Sequence, residues 1–238
     1  MTKTWLRGII QPTTAHSVGA GVVVKFGGSL LTRSAWPDDL VALLAVLEAP
    51  LLVIGGGPVV DGLRAIDAAC PRPAALMHHL SIEAMRLTAR IVAEAIGLPI
   101  VDSVASLPTG PAILEAAVWL KSNSSGCQLP HSWQVTSDSI AATVAAAIQR
   151  DLLLAKSVPP PCLGFADCGT SLLPQDAMND DRRTPRLFDR SATWEKSMEG
   201  FSKEQLALAS LVAAGWVDPH FPGAAKSVTT IGWAAPAH

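Results

Sequence analysis

The sequence predicts an α/β protein, a three-layer α/β/α sandwich built on a mostly parallel, open sheet. Short apolar runs alternate with helical patterns along the chain. Each run is apolar along its whole length, as a strand covered on both faces must be. Two of the runs stop abruptly at glycine clusters, which is how strands of such sheets hand over to ligand-facing loops.

Gly21-Val22-Val23-Val24-Lys25-Phe26 is a β-branched run and reads as the first buried strand. Pro37-Asp38-Asp39 opens a helical pattern through Leu47, with proline and acids where a first turn favours them. Leu51-Leu52-Val53-Ile54 is a second buried strand, ending at Gly55-Gly56-Gly57, and a helix over Val59–Ala69 follows. Ser81 is the expected N-cap of a helix running to Ile96 and closed by Gly97 and Pro99. Pro99–Val101 and Ala112–Leu120 read as strands, and Ser137–Gln149 as an alanine-rich helix. Leu152-Leu153-Leu154-Ala155 is a strand that delivers Lys156 at its end. The stretch 159–193 reads as an irregular excursion rich in Pro, Asp, Arg and Gly. Ser202 caps a helix to Ala214, and Val228–Ile231 is the last expected strand. Residues 1–20 are expected to be a partly flexible N-terminal extension, with 21–238 as one domain, because no linker divides them.

Composition narrows the function classes. Hydrophobic residues make up 49% and charged residues 16% of the 238 residues, which describes a core-rich, ordered chain. A chain of this size buries roughly 70–75% of its unfolded surface, so neither a disulfide nor a metal staple is required. The net charge is −2 and the longest basic run is Arg182-Arg183, so no nucleic-acid partner is expected. Cys70, Cys127, Cys162 and Cys168 form no C-x-x-C pair and read as isolated reduced thiols. No leader-like apolar region and no run of about 18 apolar residues is found, so a cytoplasmic protein without a membrane partner is expected.

Chemistry is concentrated in three places. Lys25-Phe26-Gly27-Gly28-Ser29 lies at the carboxyl end of the first strand, where open α/β sheets bind ligands. Glycines there let backbone N–H groups approach phosphate oxygens, Lys25 adds a mobile charge and Ser29 a hydroxyl. The lysine precedes the glycines, so this is not a P-loop. Alone, the stretch is equally a tight turn with Lys25 reaching solvent. Gly55-Gly56-Gly57 is the second glycine loop. Val60 stands where a dinucleotide fingerprint needs its last glycine, which disfavours that reading. Thr136-Ser137-Asp138-Ser139 enters a helix, where hydroxyls and a carboxylate serve capping as well as chemistry. Lys156 at a buried strand end needs a partner or an exit to solvent.

Together, Lys25-Phe26-Gly27-Gly28-Ser29, Gly55-Gly56-Gly57 and Thr136-Ser137-Asp138-Ser139 resemble the amino acid kinase family, which includes aspartate, acetylglutamate, uridylate and carbamate kinases. The resemblance runs from Gly21 to Lys156 and more weakly beyond. Within the family, the string His131 to Ala141 is most similar to the archaeal-type kinases of methanofuran biosynthesis, which act on 5-(aminomethyl)-3-furanmethanol or its phosphate. The resemblance implies ATP-dependent phosphorylation of a small acceptor, with Mg²⁺ carried on the ATP phosphates, and a homo-oligomer. It implies that Lys25 neutralises the transferring phosphoryl group and that Asp138 orients this lysine. Gly27, Gly28, Ser29 and Lys156 would bind phosphate or nucleotide, and Gly55, Gly56, Gly57, Thr136 and Ser137 would hold the acceptor. No dedicated protein metal site is expected.

Two departures stand out. Lys156-Ser157-Val158-Pro159-Pro160-Pro161 stands where many members of the family have an Asp-Val-Asp-Gly turn, and Lys156 and Lys226 are the only substitutes for a second phosphate-binding lysine that many members supply. His78-His79 reads as a solvated pair whose rings point different ways. Asp218-Pro219-His220-Phe221 reads as a turn that could line the acceptor pocket. Asp61 and Glu83 are the carboxylates open to an acceptor ammonium.

Overall fold

A computed structural model of the chain describes residues 5–11, 21–105, 107–123, 129–161 and 203–237. Seven strands form one sheet: β1 (Trp5–Gln11), β2 (Val22–Phe26), β3 (Leu51–Ile54), β4 (Ile100–Val101), β5 (Ala112–Leu114), β6 (Asp151–Ala155) and β7 (Ile231–Pro236). Their spatial order is β1-β7-β6-β2-β3-β5-β4. All neighbours run parallel except β1, which lies antiparallel to β7 at the edge. The helices are α1 (Trp36–Leu44), α2 (Gly57–Ala69), α3 (Ala74–Ile96), α4 (Ala116–Ser122), α5 (Ser137–Ala147), α6 (Lys203–Ala213) and the short α7 (Phe221–Ala224).

Side chains of a strand alternate between faces, and here the two faces bury separate cores. Val23, Val53, Leu152 and Leu154 pack with Ile140, Ala141 and Val144 of α5 and with Trp119 of α4. Val22, Val24, Phe26, Leu52, Ile54 and Leu153 pack with Leu40, Leu43 and Leu44 of α1 and with Ala89 and Val92 of α3. The fold is therefore the three-layer α/β/α sandwich that the alternating pattern predicts. The same alternation fixes the chemistry, because Lys25 shares the face of Val23 and Lys156 continues the series Leu152, Leu154. Both lysines are thus directed at the layer that contains α5.

Several expectations are corrected. Part of the proposed N-terminal extension belongs to the sheet: Trp5–Gln11 form β1, and the Trp5 indole donates to Asp39 O at 2.9 Å. The third helix starts at Ala74 after Pro73, and Ser81 lies inside it, its hydroxyl donating back to Met77 O at 2.8 Å. Strand structure from Ala112 stops at Leu114, and α4 occupies most of the rest of that run. The last strand is Ile231–Pro236 rather than Val228–Ile231, placed by its pairing with both β6 and β1. Most of the excursion 159–193 lies outside the described residues, as do Ser202, Asp180-Asp181-Arg182-Arg183, Cys127, Cys162 and Cys168.

Candidate active site

β2 sits at the point where strand order reverses: β3 and then β5 lie on one side of it, while the later β6 lies on the other. In open α/β sheets the carboxyl ends at such a switch point form the ligand crevice. Here those ends carry Lys25 and the first glycine loop from β2, Gly55-Gly56-Gly57 from β3, and Lys156 from β6.

The two glycine loops touch. A Cβ on Gly28 would come within 2.1 Å of Gly57 N, and one on Gly57 within 2.4 Å of Gly28 O. Gly57 also has φ +50, a backbone region where a side chain is strained. Only glycine permits this approach, which brings the start of a 3₁₀ turn at Gly28–Thr32 against the start of α2. Helix starts leave N–H groups without partners in their own helix, which suits an anion. Gly27 departs from the role implied for it. Its N–H donates to Ala155 O at 2.8 Å and closes the strand end, so it is not available as a phosphate donor. Ser29 Oγ lies 3.1 Å from Ser157 Oγ, joining the first loop to the Lys156–Pro161 turn.

Lys25 and Asp138 are buried, at 6% and 4% exposure. Lys25 Nζ lies 2.8 Å from Asp138 Oδ1, and Lys156 Nζ lies 2.8 Å from Asp138 Oδ2. One carboxylate on the first turn of α5 thus bridges two ammonium groups from adjacent strands. Burial opposes the ionisation of Asp138, but the charges of Lys25 and Lys156, with their hydrogen bonds, outweigh it and hold the carboxyl below the usual range. Lys156 moves the other way. Burial first and the Lys25 charge second push its ammonium down to about 8, against Asp138 and Asp218. Lys156 also donates to Trp216 O and stands over the Trp216 ring, 4.6 Å from its centroid. The Trp216 indole donates to Val158 O at 3.2 Å, so this residue braces the Lys156–Pro161 turn. Lys226, the other substitute, is exposed beyond α7.

Beside this cluster lies a cleft of about 230 Å³. Lys25, Gly28, Ser29 and all three glycines of the second loop form its inner end. Its walls come from α2, α3 and the segment before α5, including Arg64, Ser81, Met85, Trp133 and Thr136. Arg64 stacks on Trp133 at 5.3 Å and pairs with Asp61 at 2.8 Å, and the Trp133 indole donates to Asp67 at 2.8 Å. Ser137 also lines the cleft and its hydroxyl stands beside Gly55. Of the two candidate carboxylates, Asp61 lines the cleft, whereas Glu83 faces Arg86 and Lys121.

The histidines do point different ways, but His78 is not solvated. It is buried in the cleft wall, stacked on His131 with ring centroids 5.2 Å apart, and its Nδ1 lies 3.2 Å from Ser132 O. Burial, helped by the charges of His131 and His79, pushes its pKa down against the Ser132 hydrogen bond, which favours a neutral ring. Among the described residues no group of three or more His, Cys, Asp or Glu is arranged to hold a metal, and no helix is long and apolar enough to cross a membrane.

The residue that sequence reasoning undervalued is Asp218. Asp218-Pro219-His220-Phe221 does turn, with His220 N donating to Asp218 Oδ1 at 3.0 Å, but it does not line the cleft. Its carboxylate instead binds the start of α5, a contact with no local signal beyond an aspartate preceding a proline.

The fold and this paired-lysine, two-loop crevice define an open α/β protein whose charged and glycine-rich elements meet at one sheet edge. The sequence profile of the amino acid kinase family matches residues 21–159, and the chain belongs to that family. Membership supports a small-molecule kinase. Among solved structures, the chain is similar to the uridylate kinase of Archaeoglobus fulgidus, at 18% identity and TM-score 0.40 over 63% of this chain and 70% of that one. It is also similar to the UMP kinase of Ureaplasma parvum, at 14% identity and TM-score 0.41 over 58% and 67%. No curated protein sequence matches the chain.

Proposed function

We propose that the protein transfers the γ-phosphoryl group of ATP to a small acceptor held in the cleft between α2, α3 and the segment before α5. The observation that carries this reading is the bridge Lys25–Asp138–Lys156, which reaches that cleft through Lys25 beside two touching glycine loops. In the transfer, the acceptor oxygen bonds to the γ-phosphorus as the bond to the β–γ bridging oxygen breaks and ADP leaves. Charge on the transferring group is spread over its oxygens, so positioning and neutralisation matter more than a strong base.

Lys25 neutralises the transferring group, with the backbone of Gly28 supporting it. Asp138, held below the usual carboxylate range, is a weak base, so its task is to orient the two ammonium groups. Ser29 and Lys156 complete the nucleotide side. Gly55, Gly56, Gly57, Thr136 and Ser137 hold the acceptor. Mg²⁺ supplies charge neutralisation on the phosphates when bound. Asp138 is already engaged by two lysines, which fits an ion carried mainly by ATP oxygens and water.

For the acceptor we propose 5-(aminomethyl)-3-furanmethanol or its phosphate, in methanofuran-type cofactor synthesis. Trp133 offers a flat wall for a ring, and Asp61 a carboxylate for an ammonium. A cytoplasmic homo-oligomer completes the proposal. The altered turn at Lys156–Pro161 favours a second reading, a non-catalytic relative that binds a ligand or stores an oxyanion.

The test is ATP consumption by the purified protein with Mg²⁺ against the furan alcohol, its phosphate, UMP, aspartate, acetylglutamate and carbamate. Turnover with a furan acceptor supports the full reading. Turnover with another acceptor keeps the kinase and overturns the substrate. No turnover and no ATP binding leaves the ligand-binding reading.

A further inference from the structure

Asp138 reaches both lysines only if the first turn of α5 is held in place, and a helix start is where chains fray most readily. The local cap is weak: the Thr136 hydroxyl accepts from Asp138 N at 3.3 Å. The strong restraint comes from far along the chain. Asp218, between α6 and α7 and only 6% exposed, accepts from Thr136 N at 3.0 Å, Thr136 Oγ1 at 2.7 Å and Ser139 N at 3.1 Å through Oδ2. Its Oδ1 accepts from the Ser139 hydroxyl and from His220 N at 3.0 Å. The carboxylate therefore grips residues on both sides of Asp138. It stands where a local side chain usually caps the third N–H of a helix, and where negative charge is favoured.

Two residues earlier, Trp216 accepts the Lys156 ammonium on its carbonyl and underlies it with its ring. One short segment thus sets both the carboxylate and the second lysine. We propose that Asp218 is a positioning residue of the phosphoryl-transfer site, clamping the start of α5 so that Asp138 bridges Lys25 and Lys156. This inference rests on the kinase reading given above, but its physical content does not require turnover. Lys156 is faced by Lys25 from β2, Asp138 from α5 and Asp218 from the segment before α7, and the negative charge of Asp218 favours the protonated lysine.

The experiment compares Asp218→Asn with wild type and with Leu43→Val, a core change on the opposite face of the sheet. Asparagine keeps the shape but turns an N–H₂ toward donors. Expected for Asp218→Asn is a kcat lower by about 10- to 100-fold per folded molecule, with both KM values within about threefold. Its alkaline activity midpoint should lie below that of wild type, while Leu43→Val keeps the wild-type midpoint. Lysine-labelled protein, with Lys156→Arg identifying the signal, reads the Lys156 titration by NMR whether or not an acceptor is found. A downward move in Asp218→Asn, together with a Lys156 signal disturbed in Asp218→Glu where the charge is kept but displaced, supports the clamp even if every acceptor fails and the kinase reading falls. Unchanged kcat and midpoint, or an unmoved lysine titration where no acceptor turns over, overturns the proposal. If Asp218→Asn does not fold, Asp218→Glu carries the test: it keeps the charge but displaces the carboxylate. It should then lose kcat or disturb the Lys156 signal, and wild-type behaviour in both overturns the clamp.

Discussion

Lys25 Nζ and Asp138 Oδ1 lie 2.8 Å apart in a buried pair, although one belongs to the second strand and the other to the fifth helix. The pair exists because Lys25 shares the sheet face of Val23, the face on which α5 packs. Removing one partner leaves the other charge buried without compensation, which is costly. Lys25→Ala should therefore reduce turnover by about 100- to 1,000-fold or more. Asp138→Asn should reduce it comparably, because it frees both lysines at once. Steady-state kinetics on variants whose folding is checked by circular dichroism measure this.

Lys156 gives a pH prediction with opposite signs for activity and stability. Its ammonium is pushed down from 10.5 to about 8. As pH rises through about 8 the folded protein releases this proton, Asp138 loses one cationic partner, and turnover should fall. The unfolded chain keeps the proton up to the ordinary lysine value. Between those two values the unfolded state binds more protons, so the contribution of Lys156 to folding stability should rise with pH. Lys156→Gln should lose both dependences, as seen in a pH–rate profile and in denaturant midpoints measured across the same range.

The glycines separate into those that make the site and those that do not. Gly28→Ala forces a Cβ into the backbone of Gly57, and should cost about 3 kcal/mol along with most of the activity. Gly62, exposed within α2, has nothing within 4 Å of a new Cβ. Gly62→Ala should stabilise by about 0.5–1 kcal/mol and leave turnover unchanged. Thermal denaturation of the two variants side by side tests the contrast.

The cleft wall should govern the acceptor without touching ATP. Trp133→Ala removes the surface on which Arg64 stacks and breaks the bond to Asp67. Acceptor KM should rise about 10-fold, worth roughly 1.4 kcal/mol, with ATP KM unchanged. Initial rates with each substrate varied in turn check this.

What was legible in the sequence was mostly local. Lys25, the glycine loops and Asp138 each sit in a short pattern tied to a strand end or a helix start, and the structure brings these patterns to one sheet edge. Lys156 was visible because a charged residue ends an otherwise apolar strand. Elements set by tertiary contacts were less visible. Ile231–Pro236 has one β-branched residue and is a strand because β6 and β1 flank it. Ser81 has cap chemistry and so marks the wrong start for α3, because inside a helix its hydroxyl bonds back to the preceding turn. Gly27 has the sequence context of a phosphate donor, but Ala155 of the neighbouring strand takes its N–H. Asp218 sits in a turn, as an aspartate before a proline suggests. Its main partners, Thr136 and Ser139, lie on another element, and spacing along the chain carries no trace of such a contact.

The most direct test of the central claim is single-turnover transfer of γ-labelled phosphate from Mg·ATP to the furan alcohol or its phosphate, with wild type, Lys25→Ala and Asp138→Asn assayed together. Labelled product is expected with wild type, and a rate lower by about 100-fold or more in both variants, while each stays folded. Equal transfer by wild type and Lys25→Ala would contradict the assignment of phosphoryl transfer to the Lys25–Asp138–Lys156 bridge.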